Sequence, residues 1–308
     1  MADKVRLGII GVGTMGSSHA AQVMDGKVDG LELTALCDID PDVRKKYEGK
    51  VENIYADSKE LIRSGNVDAV IIATPHYDHT TIGIDALQNG LHTLVEKPIS
   101  VHKADCERLI GAYKKKRKKP VFAAMFQLRT EPIYQKVHQM LNDGTLGDIL
   151  RVTWIITTWF RSETYYASGG WRATWGGEGG GVLLNQCPHN LDLMQWFFGM
   201  PKRVTALCKW GSRHNIEVED DVTAVLEYEN GATGHFITTT GEAPGSNRLE
   251  IACENGLLVV TEGKLTFLRN ETPSTEYLQK TETKFGKPGV WNCEIPVHGQ
   301  AGQHREIM

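Results

Sequence analysis

The sequence lacks the features that define several common classes of protein. Its six cysteines are scattered and form no Cys-x-x-Cys pair, which excludes the usual zinc-ribbon and redox-dithiol motifs. No apolar run approaches the ~20 residues of a membrane-spanning helix, and the net charge of −4 argues against nucleic acid as the main partner. The chain enters a strand-like run almost at once, without a signal-peptide pattern. These absences predict a soluble, cytoplasmic protein with no metal site and no membrane or nucleic-acid partner.

The composition is that of an ordinary globular protein. Apolar residues make up 41% and charged residues 23% of the 308 positions, so the chain can bury a sizeable core. Its length fits two domains of roughly 150 residues each. The pattern of the sequence changes near Phe126, which predicts one domain over residues 1–126 and a second over residues 127–308.

The first domain alternates short apolar runs with helical patterns. The strand-like runs are Val5–Ile10, Leu31–Cys37, Val67–Ala73, His92–Val95 and Val121–Phe126. The helix signals between them are Asp40-Pro41, Asp57, Asp78–Asn89 before Gly90, and Ser100, which opens a long helix toward Lys116. Alternating strands and helices of this kind predict a parallel sheet with helices on both faces, a Rossmann dinucleotide-binding domain.

The second domain is rich in strands. After a helix over Pro132–Leu141, the strand-like runs are Ile149–Phe160, Val204–Trp210, Val222–Tyr228, Thr233–Thr240, Leu249–Ala252, Leu257–Thr261 and Lys264–Leu268. Turn signals such as Glu254-Asn255-Gly256 separate them, and hairpin spacing predicts a large, mostly antiparallel open sheet. One helix, predicted over Leu184–Phe198 after three glycines, interrupts the strands.

A glycine-rich motif follows the first strand directly. It reads Gly11-Val12-Gly13-Thr14-Met15-Gly16 and opens a helix, as a loop that holds the pyrophosphate of a dinucleotide does. Asp38 follows Gly16 by 22 residues, close to the ~20 expected of the acid that binds the ribose hydroxyls. A carboxylate there repels a 2′-phosphate, so NAD is favoured over NADP. The alternatives are a turn that merely needs glycine and an Asp38 that only precedes the Asp40-Pro41 helix start.

Two further motifs stand where parallel strands end. Thr74-Pro75, with His79 after it, ends the third apolar run, and Glu96-Lys97-Pro98 follows His92–Val95. Ligands of open α/β sheets bind at the carboxyl ends of the strands, so Lys97 either points into the crevice or is an ordinary surface lysine. His76 and His79 have no third ligand at a suitable spacing, so we interpret them as loop or helix-end residues.

These motifs, with Gly179-Gly180-Gly181 and then His189 and Asp192, occur in one order along the chain. Together they resemble the glucose–fructose oxidoreductase / inositol dehydrogenase / MocA (Gfo/Idh/MocA) family over essentially the whole chain. The resemblance implies NAD(P)-dependent oxidation of a sugar, sugar derivative or cyclitol. It also implies an open sheet used for oligomerisation, hence a homodimer or homotetramer. The site residues implied for the cofactor include Thr74, Pro75, His79, Glu96 and Lys97. Lys97 is expected to hold the reacting hydroxyl, and His189 to be the general base.

The chemistry of an alcohol oxidation fits these residue types. The hydroxyl proton needs an acceptor near neutrality, which an imidazole with an ordinary pKa of ~6.5 provides, and an ammonium stabilises a developing alkoxide. On one continuous helix, Asn185, His189 and Asp192 share a face. Many family members have aspartate where this chain has Asn185. Either Asp192 therefore stabilises the imidazolium, or the base is weaker, or the substrate subclass differs.

Aromatic residues and arginines before the helix indicate the substrate. Tyr166, Trp171 and Arg172 are candidate sugar contacts, because aromatic rings cover C–H faces and arginine binds hydroxyls or anions; packing at an interface is the alternative.

The sequence ends on Gln303–Met308, which resembles a helix start and predicts a truncated chain. Two rival functions remain open. One is a lyase or hydrolase that oxidises C3 transiently and recycles NAD, and the other is a non-catalytic dinucleotide sensor.

Overall fold

The structure, a computed structural model, describes residues 4–299 and 303–308. These residues form two compact units. The first unit holds the residues up to Gln127, Gly170–Gly180 and the residues from 303 onward. The second holds Leu128–Gly169 and the residues from Gly181 to 299. No pattern in the sequence predicts that residues 170–180 join the first unit.

The first unit contains a six-stranded sheet with the order β3-β2-β1-β4-β5-β6, in which every paired neighbour is parallel. Its strands are β1 (Val5–Ile10), β2 (Leu31–Cys37), β3 (Asn53–Tyr55), β4 (Ala69–Ile72), β5 (His92–Val95) and β6 (Phe122–Ala124). The predicted Rossmann sheet is confirmed. The short edge strand β3 was missed because its three residues are too few to show a pattern.

The helices of the first unit are α1 (Thr14–Met24), α2 (Pro41–Lys45), α3 (Ser58–Arg63), α4 (Asp78–Gln88), α5 (Lys103–Lys114) and the C-terminal α11 (His304–Ile307). The predicted caps of α2 and α3 are present: Asp40 accepts from the Asp42 N–H and Asp57 from the Lys59 N–H. The predicted start of α5 at Ser100 is wrong. The buried Ser100 hydroxyl instead bonds Thr80 at 2.6 Å, and the helix begins at Lys103.

The second unit contains an eight-stranded sheet with the order β14-β13-β12-β11-β7-β10-β9-β8. Its strands are β7 (Ile149–Ile156), β8 (Arg203–Trp210), β9 (Glu219–Glu227), β10 (Thr233–Thr239), β11 (Asn247–Cys253), β12 (Gly256–Thr261), β13 (Lys264–Asn270) and β14 (Val290–Ile295). Only the β7–β10 pair among them is parallel. The prediction of a mostly antiparallel sheet is confirmed, although β14 was missed.

The helices of the second unit are α6 (Pro132–Asn142), α7 (Glu163–Ala167), α8 (Val182–Asn185), α9 (Pro188–Phe198) and α10 (Ser274–Lys280). Apolar residues of α6 and α9 pack with one face of the sheet, whose centre is the fully buried Trp154. The single helix predicted over Leu184–Phe198 is wrong. Pro188 has no N–H to continue a helix and stands at the first position of α9, so the chain breaks after Asn185.

Across the ranges that the structure describes, no helix combines the length and the apolar character that crossing a membrane requires.

Candidate functional site

The glycine-rich loop between β1 and α1 is shaped by two close approaches. Gly11 has φ of +86°, and a Cβ there would lie 2.7 Å from the backbone nitrogen of Thr74. A Cβ at Gly16 would lie 1.9 Å from the carbonyl oxygen of Gly11. A side chain at either position would collide with backbone, so the fold itself requires both glycines.

Gly13 is different, because no contact within the described part of the protein requires a glycine at this position. A Cβ at Gly13 would meet no atom within 4 Å, and the residue is exposed at the N-cap of α1. The cap has no side-chain hydrogen bond, and the first turn of α1 carries no acidic residue. The N–H groups and the positive dipole end of α1 are thus available to an anion that approaches the Gly13 backbone. This cradle fits the pyrophosphate of a dinucleotide.

Asp38, at the end of β2, holds this loop from the side. One carboxylate oxygen accepts from the Val12 N–H at 2.7 Å, and the other accepts from the Asp40 N–H at 2.9 Å. Two carboxylate oxygens offer about four acceptor positions, so the group can also accept from ribose hydroxyls. Ile39 beside it is 88% exposed and offers an apolar surface suited to an adenine ring. The Arg44 guanidinium lies close by and donates to the carbonyl oxygens of Asp38 and Ile39.

His79 connects the turns that follow β4 and β5. Its Nδ1 lies 2.8 Å from the Pro98 carbonyl oxygen and its Nε2 lies 2.9 Å from the Thr74 carbonyl oxygen. The ring is almost fully buried, and burial lowers the pKa of His79. The predicted cofactor residue His79 therefore lies between two turns of the site, and in its neutral form it can donate to one of the two carbonyl oxygens at a time. The Thr74 hydroxyl between them is buried without a hydrogen-bond partner, which suits a polar group of a ligand.

Residues 170–180 complete the first unit at the same end of the sheet. The His76 Nδ1 lies 2.9 Å from the Glu178 carbonyl oxygen, and the Tyr77 hydroxyl donates to the Trp175 carbonyl oxygen at 2.8 Å. The Trp171 ring meets His76 edge to face at 5.6 Å. Sequence reasoning set His76 aside as a loop residue; its position directly after the end of β4 was the available signal.

The charges of Lys97 and Arg172 act on His76. Burial lowers the pKa of His76 to about 4, and the charges of Lys97 and Arg172 add to that effect. The Arg172 guanidinium lies 4.8 Å from the centre of the Trp171 ring. His76 therefore has three of the predicted substrate residues in its surroundings: Lys97, Trp171 and Arg172.

Glu96, a predicted cofactor residue, is buried and bonded within the protein. One carboxylate oxygen lies 2.7 Å from the His19 Nε2, and the other accepts from the Lys97 N–H at 3.1 Å. Burial opposes ionisation, but these hydrogen bonds prevail and the pKa of Glu96 is lowered. His19 was missed from the sequence; a histidine on the buried face of α1 was the only signal.

The second unit carries the predicted base and its neighbours. His189 is the second residue of α9, whereas Asn185 is the last residue of α8. The expectation that Asn185 shares a helix face with His189 is therefore wrong, because the helix is broken between them. Glu219 determines where α8 begins, since its carboxylate accepts from the N–H groups of Gly181 and Leu183.

Asp192 is bound to an arginine. Both of its oxygens accept from Arg129, at 2.7 Å from Nε and 2.6 Å from Nη2. This bidentate pair neutralises the carboxylate, so the structure gives Asp192 a cationic partner other than the imidazolium, which was one of the three alternatives that the sequence left open.

Polar side chains adjoin Asn185. Gln186 donates to the Asn185 Oδ1 at 3.3 Å and accepts from the Arg161 Nη2 at 2.9 Å. Arg161 lies over the rings of Trp159 and Tyr165. The hydroxyl of Tyr166, the third predicted substrate residue, donates to the Thr240 hydroxyl at 2.9 Å, and burial raises the pKa of Tyr166 to about 12. In the described ranges, no three His, Cys, Asp or Glu residues are grouped to hold a metal ion.

The chain is similar to dehydrogenases of known sequence and structure. The chain is 25% identical over 288 residues to the inositol 2-dehydrogenase/D-chiro-inositol 3-dehydrogenase of Shouchella clausii, covering 91% of this chain and 79% of that protein. It is 27% identical to the myo-inositol 2-dehydrogenase of Thermotoga maritima, covering 75% and 67%. The WlbA dehydrogenase of Bordetella pertussis, solved with NADH and UDP-GlcNAcA, matches with a TM-score of 0.80 and 26% identity, covering 88% of this chain and 84% of that one.

Two family descriptions cover most of the chain. Residues 5–125 match the oxidoreductase family with an NAD-binding Rossmann fold, and residues 134–259 match the GFO/IDH/MocA C-terminal domain. The protein is an NAD-binding oxidoreductase of the Gfo/Idh/MocA family.

Proposed function

We propose that this protein is an NAD-dependent dehydrogenase that oxidises a ring hydroxyl of a sugar, sugar derivative or cyclitol. The observation that carries the proposal is the position of Lys97, which follows β5 in the unit that holds the glycine-rich cradle and whose charge acts on His76. A cation at this end of the sheet suits the oxygen of an alcohol that becomes an alkoxide. The inositol dehydrogenases and the NADH-bound WlbA among its relatives support the same reaction class.

The residues of the first unit bind the cofactor and orient the substrate. Gly13 and the first turn of α1 would hold the pyrophosphate, and Asp38 would accept from the ribose hydroxyls. NAD, when bound, supplies the acceptor for the hydride. Lys97 holds the reacting oxygen and stabilises its charge, and Trp171 with Arg172 contacts the ring.

His189, in the second unit, removes the hydroxyl proton. An imidazole is the side chain suited to this near neutral pH. We assign Asn185, an amide where many relatives have aspartate, to orienting the base or binding a substrate hydroxyl. Because the Asp192 carboxylate is paired with Arg129, its contribution is to hold α9 and so the base. We assign dinucleotide binding to residues 1–126 and substrate binding to residues 127–308, with Trp171 and Arg172 as the members of that range in the first unit.

A substrate panel tests the proposal. Purified protein is incubated with NAD and sugars, sugar acids, inositols, sugar nucleotides or aryl glycosides, while NADH absorbance and release of the aglycone are followed in parallel. Net NADH formation with a free polyol is the expected result. Aglycone release without net NADH would identify the NAD-recycling lyase instead, and NAD binding without either reaction across the panel would indicate a sensor.

The cofactor preference gives a second prediction. NAD should bind more tightly than NADP because a 2′-phosphate would approach the Asp38 carboxylate. Asp38→Ser should reduce the difference between the two affinities, because it weakens NAD binding and removes the repulsion of the 2′-phosphate. Arg44 lies beside this position and supplies a cation for that phosphate. Calorimetric titration of both cofactors measures this, with Asp42→Ser on the exposed start of α2 as the control. Equal or tighter NADP binding by the unaltered protein would contradict the prediction.

The sheet of the second unit predicts an oligomer. The face opposite the α6 and α9 packing presents Leu207, 74% exposed, and Val225, 40% exposed, on neighbouring strands. Exposed apolar side chains on an open sheet favour association of identical subunits. Light scattering should therefore give a dimer or tetramer at micromolar concentration, and Leu207→Glu with Val225→Glu should lower the mass. A stable monomer would count against this assembly.

A further inference from the structure

The Lys97 backbone is linked by hydrogen bonds to α1, the helix that follows the glycine-rich loop. Glu96 receives two donors at once, the His19 Nε2 at 2.7 Å and the Lys97 N–H at 3.1 Å. His19 lies on α1, three residues after Gly16, and Glu96 follows β5. One carboxylate therefore links the end of β5 to the helix whose first turn forms the cradle.

The pair is enclosed from water. The His19 side chain is 0% exposed and that of Glu96 6%, and His304 of α11 meets the His19 ring edge to face at 5.2 Å. An ionised carboxylate accepts and does not donate, so the proton between the two groups belongs to the His19 Nε2. The other ring nitrogen, Nδ1, is buried without a hydrogen-bond partner, so among the described residues Glu96 is the hydrogen-bond partner that orients the imidazole.

Such a pair is a poor way to gain stability. Removing two polar groups from water costs several kcal/mol, and apolar replacements of similar volume are often neutral or stabilising. A carboxylate does what an apolar residue cannot: it accepts from two donors in fixed directions. Here one of those donors is the backbone of the lysine that the proposed reaction uses.

We infer that His19 and Glu96 position Lys97, so that the placement of its ammonium depends on helix α1 and hence on the cofactor loop. The inference rests on the proposed function, in which Lys97 holds the reacting oxygen. Neither residue is a catalytic residue, since both act through the Lys97 backbone.

Glu96→Gln is the most discriminating variant. It preserves the volume of the side chain but replaces the anion by a neutral amide, so the His19 contact loses its charge-assisted character and requires the imidazole proton to move to Nδ1. We expect kcat to fall about tenfold to a hundredfold, the range for a lost hydrogen bond to a charged group, while NAD affinity and Tm change little. Glu107→Gln, on the exposed face of α5, is the matched control and should leave all three as in the unaltered protein.

His19 provides a rescue experiment. His19→Gln places an amide N–H near the former Nε2 and should keep kcat within about threefold of the unaltered protein, whereas His19→Leu, which has no donor, should resemble Glu96→Gln. A merely space-filling role for His19 predicts the opposite ranking, because leucine packs better in a buried apolar site. Equal kcat in both variants, or full activity of Glu96→Gln, would overturn the inference.

A readout without substrate separates this inference from the proposed function. Lysines are ¹³C-methylated by reductive methylation, and the Lys97 signal is identified by its loss in Lys97→Arg. This signal should shift or broaden in Glu96→Gln and His19→Leu but not in Glu107→Gln. If it does so while the unaltered protein oxidises no member of the panel, the positioning role stands and the proposed function fails. If the Lys97 signal did not move in these variants and the unaltered protein did oxidise a polyol, the inference would be overturned and the proposed function would stand.

Discussion

Lys97→Ala and His189→Ala should each lower kcat by about 10²–10⁴-fold, the usual contribution of a group that transfers a proton or stabilises charge in the transition state. Both residues act on one hydroxyl in the proposed mechanism, so the losses in the double variant should fall well short of multiplying. NAD affinity, measured by calorimetry, should change little in His189→Ala because the cradle at Gly13 and Asp38 is untouched. Neither side chain belongs to the buried cores, so both variants should fold.

The pH dependence identifies which residue is the base. A general base works only when unprotonated, so kcat should rise with pH through the range in which an imidazole ordinarily titrates and then level off. That ascending limb should disappear in His189→Ala and persist, at a lower rate, in Lys97→Ala. Near-normal turnover of His189→Ala with an unchanged profile would remove His189 from the mechanism.

Gly13→Ala should weaken NAD binding by about 1–3 kcal/mol, roughly fivefold to 150-fold, because a methyl group would occupy the space that the pyrophosphate needs. The protein itself has room for that methyl group: no atom lies within 4 Å of the added Cβ, and φ is −68°. Tm should therefore stay the same or rise slightly. A loss of binding without a loss of stability would show that Gly13 serves the ligand and not the fold.

Two other glycines complete the test. Gly16→Ala places a Cβ 1.9 Å from the Gly11 carbonyl oxygen, so it should lower Tm and NAD binding together. Gly111→Ala, inside α5 and also open around its Cβ, should raise Tm modestly and leave NAD binding intact. If Gly13→Ala bound NAD as tightly as Gly111→Ala does, the cradle would not be the pyrophosphate site.

Local features of this protein could be predicted from the sequence because neighbouring residues determine them. The glycine motif directly after β1, the aspartate caps of α2 and α3 and the alternation of strands and helices predicted the Rossmann sheet, apart from the short edge strand β3. The break before α9 was also local: Pro188 stands in the printed sequence and forbids the continuous helix that the apolar pattern suggested.

Only the tertiary structure decided which distant side chains meet. Glu96 pairs with His19 across 77 positions and Asp192 with Arg129 across 63, and residues 170–180 join the first unit although they lie far along the chain. A carboxylate in a sequence shows that it needs a donor, but not which one, because that choice depends on which elements the packing brings together. The sequence therefore determined the sheet, the cofactor loop and the reactive residue types, whereas the fold decided that Glu96 binds His19 and that Asp192 binds arginine.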